Sequence, residues 1–168
     1  VYGKHKFLVE EAIQETLDDL GLIVRTTTVY GWESAGKNFV SKFIKTLQEG
    51  KPFTVPNDQW ATPTYVEDLS HAIVGLVTAR KLGIYHAAGP DFLSRMEFAE
   101  IVAEVFALPK QLIQGISTPE LKQPANRPLK GGLQTDKIQQ ELGIAFLTPL
   151  KALTKMSEQK NYIIPQLN

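Results

Sequence analysis

The 168-residue sequence contains no cysteine. A disulfide framework and thiolate chemistry are therefore excluded, and the composition suits a reducing compartment. Net charge is absent too: Lys+Arg and Asp+Glu each total 18, so nothing draws the chain towards nucleic acid or a membrane surface. No apolar run reaches the ~20 residues needed to span a bilayer. The opening "VYGKHKFLVEEAIQETLDDL" mixes charge throughout, unlike a signal peptide, and a cytoplasmic protein is expected. Three histidines, His5, His71 and His86, fall on separate helical or strand patterns without ligand spacing, so they are read as structural or surface groups and no metal is expected.

What is present is a 43% hydrophobic content with 21% charged residues, ordinary for a globular domain able to bury a core. From Lys4 to Leu20, the residues Phe7, Leu8, Ala12, Ile13, Leu17 and Leu20 recur at helical spacing, and Gly21 stops the pattern. "LIVRTTTVYG" follows, a β-branched run that predicts one buried strand over 22–30. A second amphipathic helix runs from Asn38 to Glu49, then a short strand at "KPFTV". "NDQWATPT" is polar, broken by Pro63, and reads as loop. A helix over Val66–Thr78 and a strand at "GIYHAAG" come next. Ser94 with Glu97 is a capping box for a helix to Phe106 that presents Phe98, Ile101, Val102, Val105 and Phe106 to the core. Residues 107–133 read as loop around one short strand at "LIQGI", and helices over 135–142 and 148–160 finish the chain. The alternation of helix and strand predicts an α/β layered sheet.

Tyr2 and Lys6 are four apart, one helical turn, on one face. Such a spacing opens many ordinary helices. It also has a chemical use, because an ammonium beside a phenol lowers its pKa from ~10 towards the range where it exchanges protons.

"YGKHKFLVEEAI" running through a helix to "IVRTTTVYG" resembles the extended short-chain dehydrogenase/reductases. The later stretches "GKNFVSKFI", "NDQWATPTYVEDLSHAI", "GIYHAAG", "FAEIVAEVF" and "NRPLKGGLQTDKIQQELGI" are similar, in order, to the dTDP-4-dehydrorhamnose reductase branch. The resemblance implies the C-terminal part of a Rossmann-like fold with a small α+β substrate-binding region. Residues 1–35 would end the dinucleotide-binding domain, and 36–168 would form mainly the substrate-binding region, with elements returning to the Rossmann sheet. The Gly-rich pyrophosphate turn and the catalytic Ser or Thr of the family precede its tyrosine. Neither has a counterpart here, "KGG" at 130–132 being misplaced. The chain is therefore expected to be a piece of a longer enzyme, partnered by an N-terminal half of the same protein and inactive alone, in a parent expected to be a homo-oligomer.

The implied activity is NAD(P)H-dependent reduction of a nucleotide-linked 4-keto sugar, with NADP(H) or NAD(H) as cofactor. The resemblance makes Tyr2 the proton donor and Lys6 its activator and a ribose ligand. It sets Thr26, Thr27 and Thr28 near the nicotinamide, Thr28 also near the sugar, although β-propensity alone accounts for such a run. Asn38 is implied in binding the diphosphate, an N-cap being the structural alternative. Arg127 of "NRP" is implied at the same diphosphate, or is a surface arginine. Gln59, with Pro63 and Thr64, matches the branch's D-Q-x-x-x-P-T loop, where substrate contact and loop architecture are both open.

Two departures bear on substrate. Thr28 stands where the rhamnose reductases usually carry a sugar-packing tryptophan, while Trp32 and Trp60 lie on nearby loops or pack as partial core. Ala61 stands where epimerases of the wider family often carry a phosphate-binding arginine, which argues against an epimerase and leaves a reductase favoured, with another nucleotide-sugar epimerase or dehydratase as an alternative. A second class stays open: a regulatory subunit resembling the methionine adenosyltransferase beta subunit. The Tyr2–Lys6 pair favours an enzyme.

Overall fold

The computed structural model describes residues 2–33, 35–122 and 127–163, leaving aside the side chains of Tyr2, Asp19 and residues 160–163. Helix α1 (Tyr2–Leu17) closes in a 3-10 turn, Asp18–Leu20, and leads to strand β1 (Leu22–Arg25). The stop differs from the expected left-handed glycine. Asp18 takes the positive φ of 49°, and Gly21 is extended. Glycine is needed at position 21 for space instead, since a Cβ there would lie 2.8 Å from the Ile13 side chain.

The predicted single strand over 22–30 is two. After β1 the chain leaves the ladder at Thr26–Thr28 and resumes as β2 (Val29–Tyr30). Thr28 has a φ of 46°, a conformation that β-branched residues avoid and propensity cannot foresee. It is held from outside: Thr64 donates its N–H to the Thr28 carbonyl at 3.2 Å and its hydroxyl to the Thr27 carbonyl at 2.7 Å.

Helix α2 (Phe39–Gln48) follows, then β3 (Phe53–Pro56). The "NDQWATPT" stretch is not all loop. It contains β4 (Trp60–Ala61) and ends in β5 (Thr64–Tyr65), bridges too short to leave a period-2 pattern. Pro63 sits between them. Next come α3 (Val66–Thr78), β6 (Gly83–His86), β7 (Leu93–Ser94), α4 (Arg95–Val105), β8 (Ile113–Ile116), α5 (Asp136–Leu142) and α6 (Pro149–Ile163). The capping box forms as read, with Glu97 N–H donating to Ser94 Oγ at 3.1 Å and Ser94 N–H to the Glu97 carboxylate at 2.7 Å.

Three strand pairs are parallel, β1 with β6, β2 with β5 and β3 with β8, whereas β4 and β7 run antiparallel. Two apolar clusters sit on these pairs. The larger joins α2, α4 and α6 through Val40, Phe43, Phe98, Val102 and Leu153. The smaller joins α3, β6 and α5 through Leu76, Tyr85 and Ile138, with Leu22 and Val24 of β1 against it. Helices α2 and α4 turn their expected faces inward, although Ile101, Val105 and Phe106 are only half-buried. Helix α1 does not: Phe7 and Leu20 are 59% and 73% exposed. No helix of the described residues is long and apolar enough to cross a membrane.

Candidate functional site

Helix α1 carries Tyr2 in its first turn and Lys6 one turn on. The side chain of Tyr2 lies outside the described residues, and Lys6 is exposed on the helix surface. The helix is tied to β1 by a bidentate ion pair, Arg25 Nε and Nη2 donating to the Glu10 carboxylate at 3.0 and 2.5 Å. That guanidinium holds the Glu10 carboxyl below its usual range. Beyond Arg25, at the carboxyl end of the strand, stand the three threonines. Thr26 is exposed, and the Thr27 and Thr28 hydroxyls lie 3.3 Å apart. In α/β sheets this end of a strand is where ligands bind. An exposed ammonium and adjacent hydroxyls are donors of the kind that would hold a ribose and an amide, so these residues fit the nicotinamide end of a dinucleotide.

Of the remaining expected residues, Gln59 and the segment bearing Arg127 flank β4, whereas Asn38 stands at the start of α2. Trp60 N–H donates to the Leu129 carbonyl at 2.7 Å, and Gly131 N–H returns to the Trp60 carbonyl at 2.9 Å. These bonds carry the segment bearing Arg127 alongside β4, while β7 flanks its other side. Gln59 is buried, with its Nε2 donating to Thr118 Oγ1 at 2.9 Å, and Asp58 accepts from the Thr118 N–H and hydroxyl. Pro63 is buried against Gly89, where a Cβ would lie 2.0 Å from the Pro63 carbonyl oxygen. Asn38 caps α2. Its Oδ1 accepts from Ser41 N–H at 3.1 Å, its Nδ2 donates to the Gly31 carbonyl at 2.8 Å, and its own N–H donates to Glu33. Both polar ends of the Asn38 amide thus have protein partners.

Trp32 and Trp60 are half-buried. Trp32 donates its indole N–H to the Met156 carbonyl at 2.8 Å, and Trp60 stacks on Phe92 at 5.6 Å. Phe92 also lines a cleft of about 500 Å³, with Thr62, Lys130, Thr135 and Gln139 among its walls. Among the described side chains, none of the expected site residues lines that cleft. Among the described residues no group of His, Asp and Glu side chains is placed to hold a metal.

Sequence reasoning passed over Arg95. Its N–H donates to the Gln59 carbonyl at 2.8 Å, and its guanidinium lies 5.1 Å from the centre of the Phe39 ring. Burial, and then the charge of Arg127, lower its pKa. A signal existed: Arg95 is the first residue of α4, where the helix dipole disfavours a cation. The same short stretch also holds the capping box, a pattern that in sequence speaks for helix stability alone.

Comparison with known proteins bears on this geometry. A family profile described as RmlD substrate binding domain matches residues 1–161. The chain belongs to the RmlD substrate-binding domain family. Its motifs place it on the dTDP-4-dehydrorhamnose reductase side of that family, as read from the sequence. Among relatives, the spore coat polysaccharide biosynthesis protein SpsK of Bacillus subtilis (strain 168) is 36% identical over 128 residues, 76% of this chain and 44% of SpsK. The dTDP-4-dehydrorhamnose reductase of Escherichia coli (strain K12) is 32% identical over 156 residues, 87% of this chain and 51% of that enzyme. Among solved structures, the dTDP-4-dehydrorhamnose reductase of Bacillus anthracis, in complex with NADP, superposes with a TM-score of 0.84 at 28% identity, covering 94% of this chain and 55% of that one. The RmlD-family chain thus spans about half the length of the relatives it matches, and its fold is the expected Rossmann-like α/β type.

Proposed function

We propose that the full-length protein reduces a nucleotide-linked 4-keto sugar with NAD(P)H, in the manner of a dTDP-4-dehydrorhamnose reductase. The observation that carries this reading is the Tyr2–Lys6 turn of α1, anchored by Glu10 to Arg25 beside the Thr26–Thr28 strand end. The reductase names and the NADP complex among its relatives support it. The nicotinamide, when bound, supplies hydride. Tyr2 gives its hydroxyl proton to the substrate's carbonyl oxygen, and Lys6 lowers the phenol's pKa and holds the ribose. Thr26, Thr27 and Thr28 border the nicotinamide, with Thr28 towards the sugar. Arg127 binds the substrate diphosphate. Asn38 contributes by capping α2 and presenting its first amides rather than through its own amide, and Gln59 holds the loop that faces the substrate. Residues 1–35 belong with the dinucleotide domain, and 36–168 form mainly the substrate region, from which α3, β6 and α5 return to β1. An N-terminal half of the same protein supplies the pyrophosphate cradle. The parent is a cytoplasmic homo-oligomer.

The test is titration of the full-length protein with NADPH and a panel of nucleotide-linked 4-keto sugars. Consumption of NADPH with at least one dTDP-linked ketone is expected. Cofactor binding without turnover of any member would transfer the protein to the regulatory class.

A further inference from the structure

We propose that Arg95 is a second binding residue for the substrate's diphosphate, its guanidinium stacked on Phe39 and paired in function with Arg127. This rests on the reading just given, that the substrate is nucleotide-linked. Arg95 is half-buried at the β4 edge, at the start of α4, and packs over the Phe39 ring at 5.1 Å. Arg127 is close enough for its charge to lower the Arg95 pKa, after the larger effect of burial. A guanidinium keeps its charge at any physiological pH, and a cation withdrawn from water is costly unless something pairs with it. Among the described residues neither arginine has an ion pair. The carboxylates of the neighbouring elements are engaged elsewhere: Asp58 with Thr118, Glu97 with the Ser94 N–H and Glu33 with the Asn38 N–H. Two guanidiniums therefore converge without a counter-charge, one of them against a helix dipole that repels it.

A ligand answers each of these costs if it brings more than one negative charge and several acceptor oxygens. A nucleoside diphosphate does so, offering oxygens to two planar forks at once. The Phe39 ring lies beneath the Arg95 guanidinium, and the Arg95 N–H bond to the Gln59 carbonyl fixes where its stem begins. Arg127, exposed on its loop, closes on the same group from the other side of β4. Asp58, Glu97 and Glu33 are each held by donors of their own, which weakens their repulsion of an anion.

The experiment compares wild-type full-length protein with Arg95→Met and Arg127→Met, titrated calorimetrically with dTDP, thymidine and inorganic pyrophosphate. Methionine removes the charge while keeping an unbranched side chain that can fill the space beside Phe39. Arg95→Met should weaken dTDP and pyrophosphate by about tenfold or more. It should leave thymidine binding unchanged and flatten the salt dependence of dTDP binding. With the keto sugar, KM should rise while kcat stays within a few-fold. Without ligand, the thermal midpoint of Arg95→Met should equal or exceed that of wild type, since an unpaired cation has been removed. Wild-type-like dTDP affinity in Arg95→Met, or a wild type that does not distinguish dTDP from thymidine, overturns the proposal. Loss of thermal stability with dTDP binding intact also overturns it and makes Arg95 a structural residue. Arg95-dependent dTDP binding in a protein that reduces no keto sugar would uphold the subsite and reject the reductase reading.

Discussion

Tyr30 carries a buried hydroxyl that has no hydrogen-bond partner among the described residues. Its ring lies 5.0 Å from Phe98 and 5.9 Å from Tyr65, so the phenol sits in the apolar cluster for its ring alone. Burial, and then the charge of Asp68, push its pKa up, which favours the protonated phenol. A buried unpaired hydroxyl costs about 1–3 kcal/mol. Tyr30→Phe should therefore unfold at the same denaturant concentration as wild type or higher, and a clear fall in the midpoint would show that the hydroxyl has a partner. The same substitution at Tyr2 should behave in the opposite way. In the full-length protein Tyr2→Phe should lower kcat by about 10²–10⁴-fold, the usual share of a positioned proton donor. NADPH affinity should hardly change. Lys6→Ala should damage both turnover and cofactor binding, and full turnover by Tyr2→Phe would reject Tyr2 as the donor. The Tyr2–Lys6 spacing is visible in the sequence, but the spacing alone opens many ordinary helices, and only the family resemblance gives it a chemical role. Arg95 was not legible, because its meaning comes from Phe39, Gln59 and Arg127, which only the folded chain brings near it.

Between elements, the clearest electrostatic joint links α3 to α6. Glu67 in the first turn of α3 receives Lys155 Nζ at 2.7 Å and Gln159 Nε2 at 2.8 Å. Lys155 first, then Gln159 and Tyr65, hold its carboxyl down to about 2 against the opposing effect of burial. A carboxyl depressed in the folded state stabilises the fold above its unfolded value of 4.5, and that contribution is lost as pH falls towards 2. The pair is partly open to solvent, which limits the contribution to about 1 kcal/mol. Glu67→Gln should therefore narrow the gap in stability between pH 5 and pH 2.5, read from urea midpoints. An unchanged gap would mean that Lys155 and Gln159 do not hold the carboxylate in solution. Helices were the legible elements: the apolar rows of α2 and the capping box of α4 are local and long enough to show their period. Short strands were not. β4 and β5 have two residues each, and the break at Thr26–Thr28 is set by Thr64, 36 or more residues away in sequence.

At the scale of the whole chain, two surfaces remain apolar. Phe7, Leu8, Val9, Leu17 and Leu20 are exposed along α1 and the turn after it, and Ile73, Val74 and Val77 along α3. Strand β1 pairs with β6 on one side, and among the described residues nothing pairs with its other edge. The two features adjoin, since α1 leads through one short turn into β1. An open strand edge beside an apolar helix is a template for another chain, and apolar patches beyond a few hundred Å² rarely stay solvated on a monomer. The sequence period predicted the apolar row of α1 correctly but could not say what would cover it. The 168 residues expressed alone should therefore self-associate. Light scattering during size-exclusion chromatography should give a mass above 18.7 kDa that falls on dilution. Leu8→Lys with Leu20→Lys should shift the population towards monomer, because charges on the α1 face oppose burial against a second copy. On the proposed function, in which these residues border only the nicotinamide, the chain alone should also fail to bind NADPH. A stable monomer at all concentrations would show that the α1 face and the β1 edge are too small or too well hydrated to recruit a partner. NADPH binding at micromolar concentration would place the pyrophosphate cradle within these residues.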